Sequence, residues 1–130
     1  MAKKKILVVD DEVQMVEILR SRLEANGYSV IPAHDGLEAL EKVKSEKPDM
    51  ILLDILMPRM DGSQFLQRMK QEGLLGDVPV IVLTAKANMR EFFLVQGVVD
   101  FIVKPFNSKH LLVEISRHLD SSMEASGAEP

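Results

Sequence analysis

Runs of apolar residues alternate with stretches of helical periodicity along the chain. KKILVVD, with Ile6 to Val9 consecutively apolar, reads as a buried strand ending near Val9. Residues 12–25 place Met15, Leu19 and Leu23 four apart, on one helical face. Asn26-Gly27 closes that helix, glycine being the usual residue just past a helix end. YSVIPA (28–33) reads as a second strand. Pro32 has no N–H for a ladder, which puts this strand at a sheet edge. GLEALEKVKSE (36–46) is a second helix and DMILLD (49–54) a fully apolar strand that stops on an acid. DGSQFLQRMKQEG opens a third helix, with Phe65, Leu66 and Met69 inward. VPVIVLTA (78–85) is a strand ending at Thr84, and NMREFFLVQG (88–97) a shorter helix. VVDFIV (98–103) is a strand ending at Lys104-Pro105, and 107–119 the last helix, with Asn107 or Ser108 as its N-cap. SSMEASGAEP (121–130) is small and polar and reads as a flexible tail.

Five strands and five helices in strict alternation imply an α/β fold. Strands that are apolar on both faces imply a parallel sheet covered by helices on both sides. With 130 residues, one domain over 1–120 accounts for nearly the whole chain. The composition, 46% apolar and 28% charged, is that of an ordinary globular protein and adds nothing to the pattern. The net charge of -4 argues against direct nucleic-acid binding. The absence of cysteine excludes disulfides, thiolate metal sites and cysteine nucleophiles. No apolar run approaches the roughly eighteen residues of a membrane span. The basic start MAKKK precedes only four apolar residues, too few for a signal-peptide core, so the expected location is cytoplasmic.

In open parallel sheets, ligands bind beyond the carboxyl ends of the strands, where strand order reverses. The residues predicted at those ends are Asp10 and Asp11, Asp54, Thr84 and Lys104. Two carboxylates at roughly 4 Å repel by about 4 kcal/mol at an effective dielectric near 20, so a cation is expected beside them. A few hard oxygen ligands, completed by water and a phosphate, suit Mg2+ better than Ca2+. Taken singly, each residue has an ordinary reading. An acid after a strand is usually solvated or an N-cap, so Asp10 or Asp11 could cap the first helix. The joint delivery of acids, hydroxyl and amine to one rim is what discriminates. His34, His110 and His118 fall away from that expected rim and read as solvated or helix-surface residues without a role.

VVDDE, ILLDILMPRMDG, VIVLTA and FIVKPF together resemble the receiver domain of bacterial two-component response regulators, from Lys5 to about Leu119. The resemblance implies a single flavodoxin-like (βα)5 domain with a sheet of order 2-1-3-4-5. It implies that Asp54 is the phosphoacceptor, taking a phosphoryl group from a sensor histidine kinase or phosphotransfer protein. Asp10, Asp11, Asp54 and the backbone carbonyl of Leu56 would hold Mg2+. Lys104 would pair with one phosphoryl oxygen, and the Thr84 hydroxyl would donate to another. Lys104-Pro105 would be cis. Pro58, Asp61 and Gly62 would complete the loop after Asp54, with Asp61 capping the third helix and Gly62 loosening its first turn. Phe101 would be the switch residue, rotating as Thr84 moves. The implied role is a signalling module rather than an enzyme. A phosphohydrolase with an aspartate nucleophile would need an acid two positions past Asp54, where Leu56 stands.

The interval from Thr84 to Lys104 is slightly shorter than usual in the family, which places the difference in the fourth helix or the loop before it. Leu56 cannot orient an attacking water by hydrogen bonds and Lys86 could contact the phosphoryl group, so self-dephosphorylation is expected to be slow. On the fourth helix, Phe92 and Val95 share one face, and Phe93, Leu94 and Gly97 lie nearer the sheet. Phe92, Val95 and Val99 form an apolar strip for a downstream partner or a homodimer, unless the shortening turns Phe92 into the core. Output is expected through the face made by the fourth helix, fifth strand and fifth helix. No second domain is read after residue 120, although 121–130 could equally begin a linker.

Overall fold

The computed structural model describes residues 3–127, with side chains for 3–76 and 78–119. Five parallel strands, β1 (Lys5–Val9), β2 (Ser29–Ala33), β3 (Met50–Leu53), β4 (Val80–Thr84) and β5 (Asp100–Val103), stand in the order β2-β1-β3-β4-β5. They alternate with α1 (Val13–Ala25), α2 (Gly36–Glu46), α3 (Gly62–Gln71), α4 (Arg90–Val95) and α5 (Ser108–Gly127). This is the expected flavodoxin-like fold, with Pro32 on an edge strand that pairs with β1 alone.

Side chains alternate across each strand, so a fully apolar strand must feed two cores. Leu7, Val9, Ile51, Leu53, Val82 and Phe101 pack with Leu40, Phe65, Met69 and Phe93 on one face. Ile6, Val8, Leu52, Ile81, Leu83 and Ile102 pack with Val16, Leu19, Leu23, Leu111 and Ile115 on the other. Of the α1 positions read from the sequence, Leu19 and Leu23 are buried and Met15 only partly so, while Val16 completes the stripe.

The ladder continues past the strand ends and carries the polar residues with it. The Asp10 N–H donates to Ala33 O at 3.0 Å, the Asp54 N–H to Val9 O at 2.9 Å, and the Lys104 N–H to Thr84 O at 2.8 Å. Helix starts are set by local chemistry. Asp61 and Gln64 form a reciprocal capping box on α3, and Asp35 accepts from the Glu38 N–H to cap α2. Asn107 is the cap of α5, accepting from Lys109 and His110. The first helix has no side-chain cap: Asp10 accepts instead from the Glu12 N–H at 3.0 Å, so neither Asp10 nor Asp11 takes the capping role the sequence left open.

Three readings change. The fourth helix is six residues long, preceded by a 3-10 turn at Ala87–Met89. The fifth helix runs to Gly127 instead of ending near Leu119, because residues 120–126 hold no glycine or proline to stop it; 128–130 lie outside the described residues. Gly62 does not loosen its helix. A Cβ there would lie 2.8 Å from Asp54 O and 2.8 Å from Ile55 Cα, so only glycine lets α3 start against the backbone of the β3 exit. Gly62→Ala is therefore expected to destabilise the fold by about 1–3 kcal/mol, the scale of overpacking against rigid neighbours, measured by urea unfolding.

Candidate functional site

The exits of β1, β3, β4 and β5 meet at one edge of the sheet, beside the reversal point between β1 and β3. Asp10, Asp54 and Thr84 are buried there, and Asp11 is exposed. Carboxylate oxygens of Asp10, Asp11 and Asp54 lie within 4.8 Å of one another. Lys104 reaches across from β5: its Nζ is 2.8 Å from Asp10 Oδ2 and 3.8 Å from Asp54 Oδ1. The Lys104-Pro105 peptide is cis. The Thr84 Oγ1 accepts from the Lys86 N–H at 3.4 Å.

Three carboxylates face one ammonium, and the electrostatics follow from that imbalance. Burial raises the Asp54 pKa to about 6; Lys104 opposes the rise, and the negative charges of Asp10 and Asp11 add to it. Burial works against the Lys104 charge, but the hydrogen bond to Asp10 and the charges of Asp10 and Asp54 outweigh it and raise its pKa. An all-oxygen cluster with surplus negative charge fits a hard divalent cation such as Mg2+.

Each predicted site residue can now be placed. Asp10, Asp11, Asp54 and Lys104 come together, and Thr84 closes the neighbouring strand. Leu56 lies two residues past Asp54 with its side chain in solvent. Phe101 is buried, its ring stacked on Phe93 with centroids 6.2 Å apart. Its carbonyl accepts from Arg90 Nη1 at 2.9 Å, a contact with no sequence signal. The reading of α4 is half right. Phe93 is buried, and Phe92 and Val95 are 48% and 82% exposed, with Val99 also exposed. Phe92 is thus not core. Leu94 is exposed rather than turned to the sheet, because a helix of six residues offers the core few positions.

Two histidines differ from expectation. His34 Nδ1 lies 3.3 Å from Asp10 O, inside the rim. Pairing of Val9 with Ala33 makes the next residues, Asp10 and His34, neighbours; that register was the missing signal. His118 is largely buried beside Asp100 and Glu114 instead of solvated.

The raised Asp54 pKa carries a stability cost with a definite sign. Between about pH 4 and 6 the folded state binds more protons than the unfolded one, so stability falls as pH rises through that window. In metal-free protein at pH 7, Asp54→Asn is expected to stabilise by about 1–3 kcal/mol, and the gain should vanish near pH 4 in chemical unfolding.

Among the described residues, no helix is long and apolar enough to cross a membrane. The family described as "Response regulator receiver domain" matches residues 6–116. Alkaline phosphatase synthesis transcriptional regulatory protein PhoP of Bacillus subtilis is 42% identical over 123 residues, covering 92% of this chain and 50% of that protein. The chain spans about half the length of the curated relatives it matches. The crystal structure of a CheY-like receiver domain protein of Methanospirillum hungatei superposes with TM-score 0.85 at 29% identity, covering 95% of this chain and 99% of that one. TrrA of Thermotoga maritima, solved in complex with Mg2+ and BeF, gives TM-score 0.79 at 33% identity, covering 88% and 97%. With the fold, the match over residues 6–116 and these relatives in agreement, the protein belongs to the response regulator receiver domain family of two-component signalling.

Proposed function

We propose that Asp54 accepts a phosphoryl group from a phosphohistidine of a sensor kinase or phosphotransfer protein, and that this drives a conformational switch on the α4-β5-α5 face. The observation that carries the reading is the Lys104 ammonium, 2.8 Å from Asp10 and 3.8 Å from Asp54, beside three clustered carboxylates. A carboxylate oxygen of Asp54 attacks phosphorus; the new O–P bond forms as the P–N bond breaks, and the imidazole leaves with the proton on its other nitrogen. Asp10, Asp11, Asp54 and the Leu56 carbonyl would hold Mg2+, which would supply charge neutralisation between the carboxylates and the phosphoryl oxygens. Asp54 must be ionised to act; with its pKa raised to about 6 it loses reactivity as pH falls below that value, and a bound cation would extend its ionised range downward. Lys104 exchanges its Asp54 contact for a phosphoryl oxygen, to which its compact ammonium is suited. Thr84 turns its hydroxyl from the Lys86 N–H toward another phosphoryl oxygen.

Movement of Thr84 opens space for Phe101, which leaves its stack on Phe93. Phenylalanine has no hydroxyl to anchor it outside, so the outward state is less favoured than a tyrosine's would be. The readout surface is the exposed strip of Phe92, Val95 and Val99, joined by Val103 on β5. It serves a downstream protein or a second copy of the chain. The name of the Bacillus subtilis relative includes transcriptional regulation; for this chain, output through a longer regulator or through a separate partner are both compatible with receiver chemistry. A cytoplasmic location follows from the need for a kinase donor.

Intact mass after incubation with a small-molecule phosphodonor and Mg2+ tests the core of this reading. One added phosphate is expected, absent in Asp54→Ala and absent without Mg2+. After donor removal it should persist well beyond seconds, because Leu56 and Lys86 offer no carboxylate or amide to orient water. Unphosphorylated wild type under these conditions would refute the phosphoacceptor role. Phe92→Ser should change stability by less than about 0.5 kcal/mol, the scale of surface substitutions, while abolishing phosphorylation-dependent association in sedimentation. A larger stability loss would return Phe92 to a packing role.

A further inference from the structure

Away from the acidic rim, a second group of ligand-bearing side chains joins β5 to α5. Glu114 and His118 are one turn apart on α5, on the same face, and Asp100 opens β5 opposite them. His118 Nε2 is 3.6 Å from Asp100 Oδ2 and 3.8 Å from Glu114 Oε1. One ligand atom from each residue falls within 4.8 Å of the other two. All three side chains are largely buried. Asp100 Oδ1 is already used, accepting from the Phe101 N–H at 2.8 Å, which leaves Oδ2 turned to the histidine. His118 Nε2 and Glu114 Oε1 are shut off from solvent and make no hydrogen bond among the described residues. Glu114 Oε1 also has an ion-pair neighbour, Arg117 Nε at 3.3 Å, on the solvent side of the cluster.

These separations are too long for hydrogen bonds and suit a shared ion. Ligand atoms bound at about 2.0–2.2 Å around a tetrahedral Zn2+ stand roughly 3.4 Å apart, so the two separations from His118 need to close by only a few tenths of an ångström, and the two carboxylates already lie within 4.8 Å of one another. Asp100 and Glu114 border one open cleft and His118 another, so the cluster lies just beneath the surface. We propose that Asp100, Glu114 and His118 form a second cation site, specific for a borderline transition ion of the Zn2+ class, with its fourth position open to water. An imidazole nitrogen with two carboxylates selects such ions, whereas the all-oxygen rim selects Mg2+. The site would clamp β5, the strand that carries Phe101, to α5. It does not rest on the phosphoryl-transfer reading.

Zn2+ titration of the full chain by calorimetry, in excess Mg2+ to occupy the rim, tests it. The expected result is one Zn2+ per chain, retained in the Asp10→Ala/Asp11→Ala, His34→Ala and His110→Ala variants. His118→Ala and Glu114→Gln should each weaken binding by about 100-fold or more, beyond the range that outer-shell changes produce. Binding that is unchanged in both variants, lost only with the rim acids, or absent altogether would overturn the proposal. Absence would leave the cluster as an ion pair and shared proton. Should a variant fail to fold, the wild-type chain decides the matter: Co2+ must shift the His118 ring signals in NMR, and unshifted signals refute the site.

Discussion

The buried ion pair between Lys104 and Asp10 joins the exit of β5 to the exit of β1, across two intervening strands. Removing one partner of such a pair leaves an uncompensated charge, at a typical cost of about 3–5 kcal/mol. The neighbouring features answer to that constraint. The cis peptide after Lys104 and the continued ladder from Lys104 N–H to Thr84 O set the course of the chain where the ammonium turns inward. Asp54 sits close enough to feel the ammonium, yet its own burial and the other two acids still leave its pKa near 6. The rim is thus held together by charge and remains short of positive charge.

That shortage has a consequence for stability. The buried Asp54 carboxylate costs stability at neutral pH in the absence of a cation, and a cation shared with Asp10 and Asp11 would relieve that cost. Glycine at position 62 serves the same site: it lets α3 close over the backbone that carries Asp54 without moving it.

On the opposite side of β5, polar contacts hold the strand to its neighbours. Arg90 grips the Phe101 carbonyl, Asp100 takes the Phe101 N–H, and His118 faces Asp100 from α5. Phe101 is flanked on both sides of the backbone by these contacts while its ring lies in the core on Phe93. Val82 pairs with Phe101 and Thr84 with Val103, so the rim and Phe101 share one pair of adjacent strands. The exposed apolar surface of Phe92, Val95 and Val99 lies beside β5.

Most of the fold was legible because its signals are local or periodic. Doubly apolar strands, helical spacing of Leu19 and Leu23, and Pro32 at an edge follow from side-chain direction and hydrogen-bonding capacity alone. The identities of Asp10, Asp11, Asp54, Thr84 and Lys104 were legible too, since each ends an apolar run at a predictable rim. What tertiary structure decided was adjacency between distant segments. The β1–β2 register brought His34 to Asp10, the packing of α5 on β5 enclosed His118 between acids, and the close approach of α3 to the β3 exit explained Gly62. Linear sequence specifies which face a residue takes within its own element. Which residue of another element meets it depends on register and on interhelical packing, which only the folded chain determines.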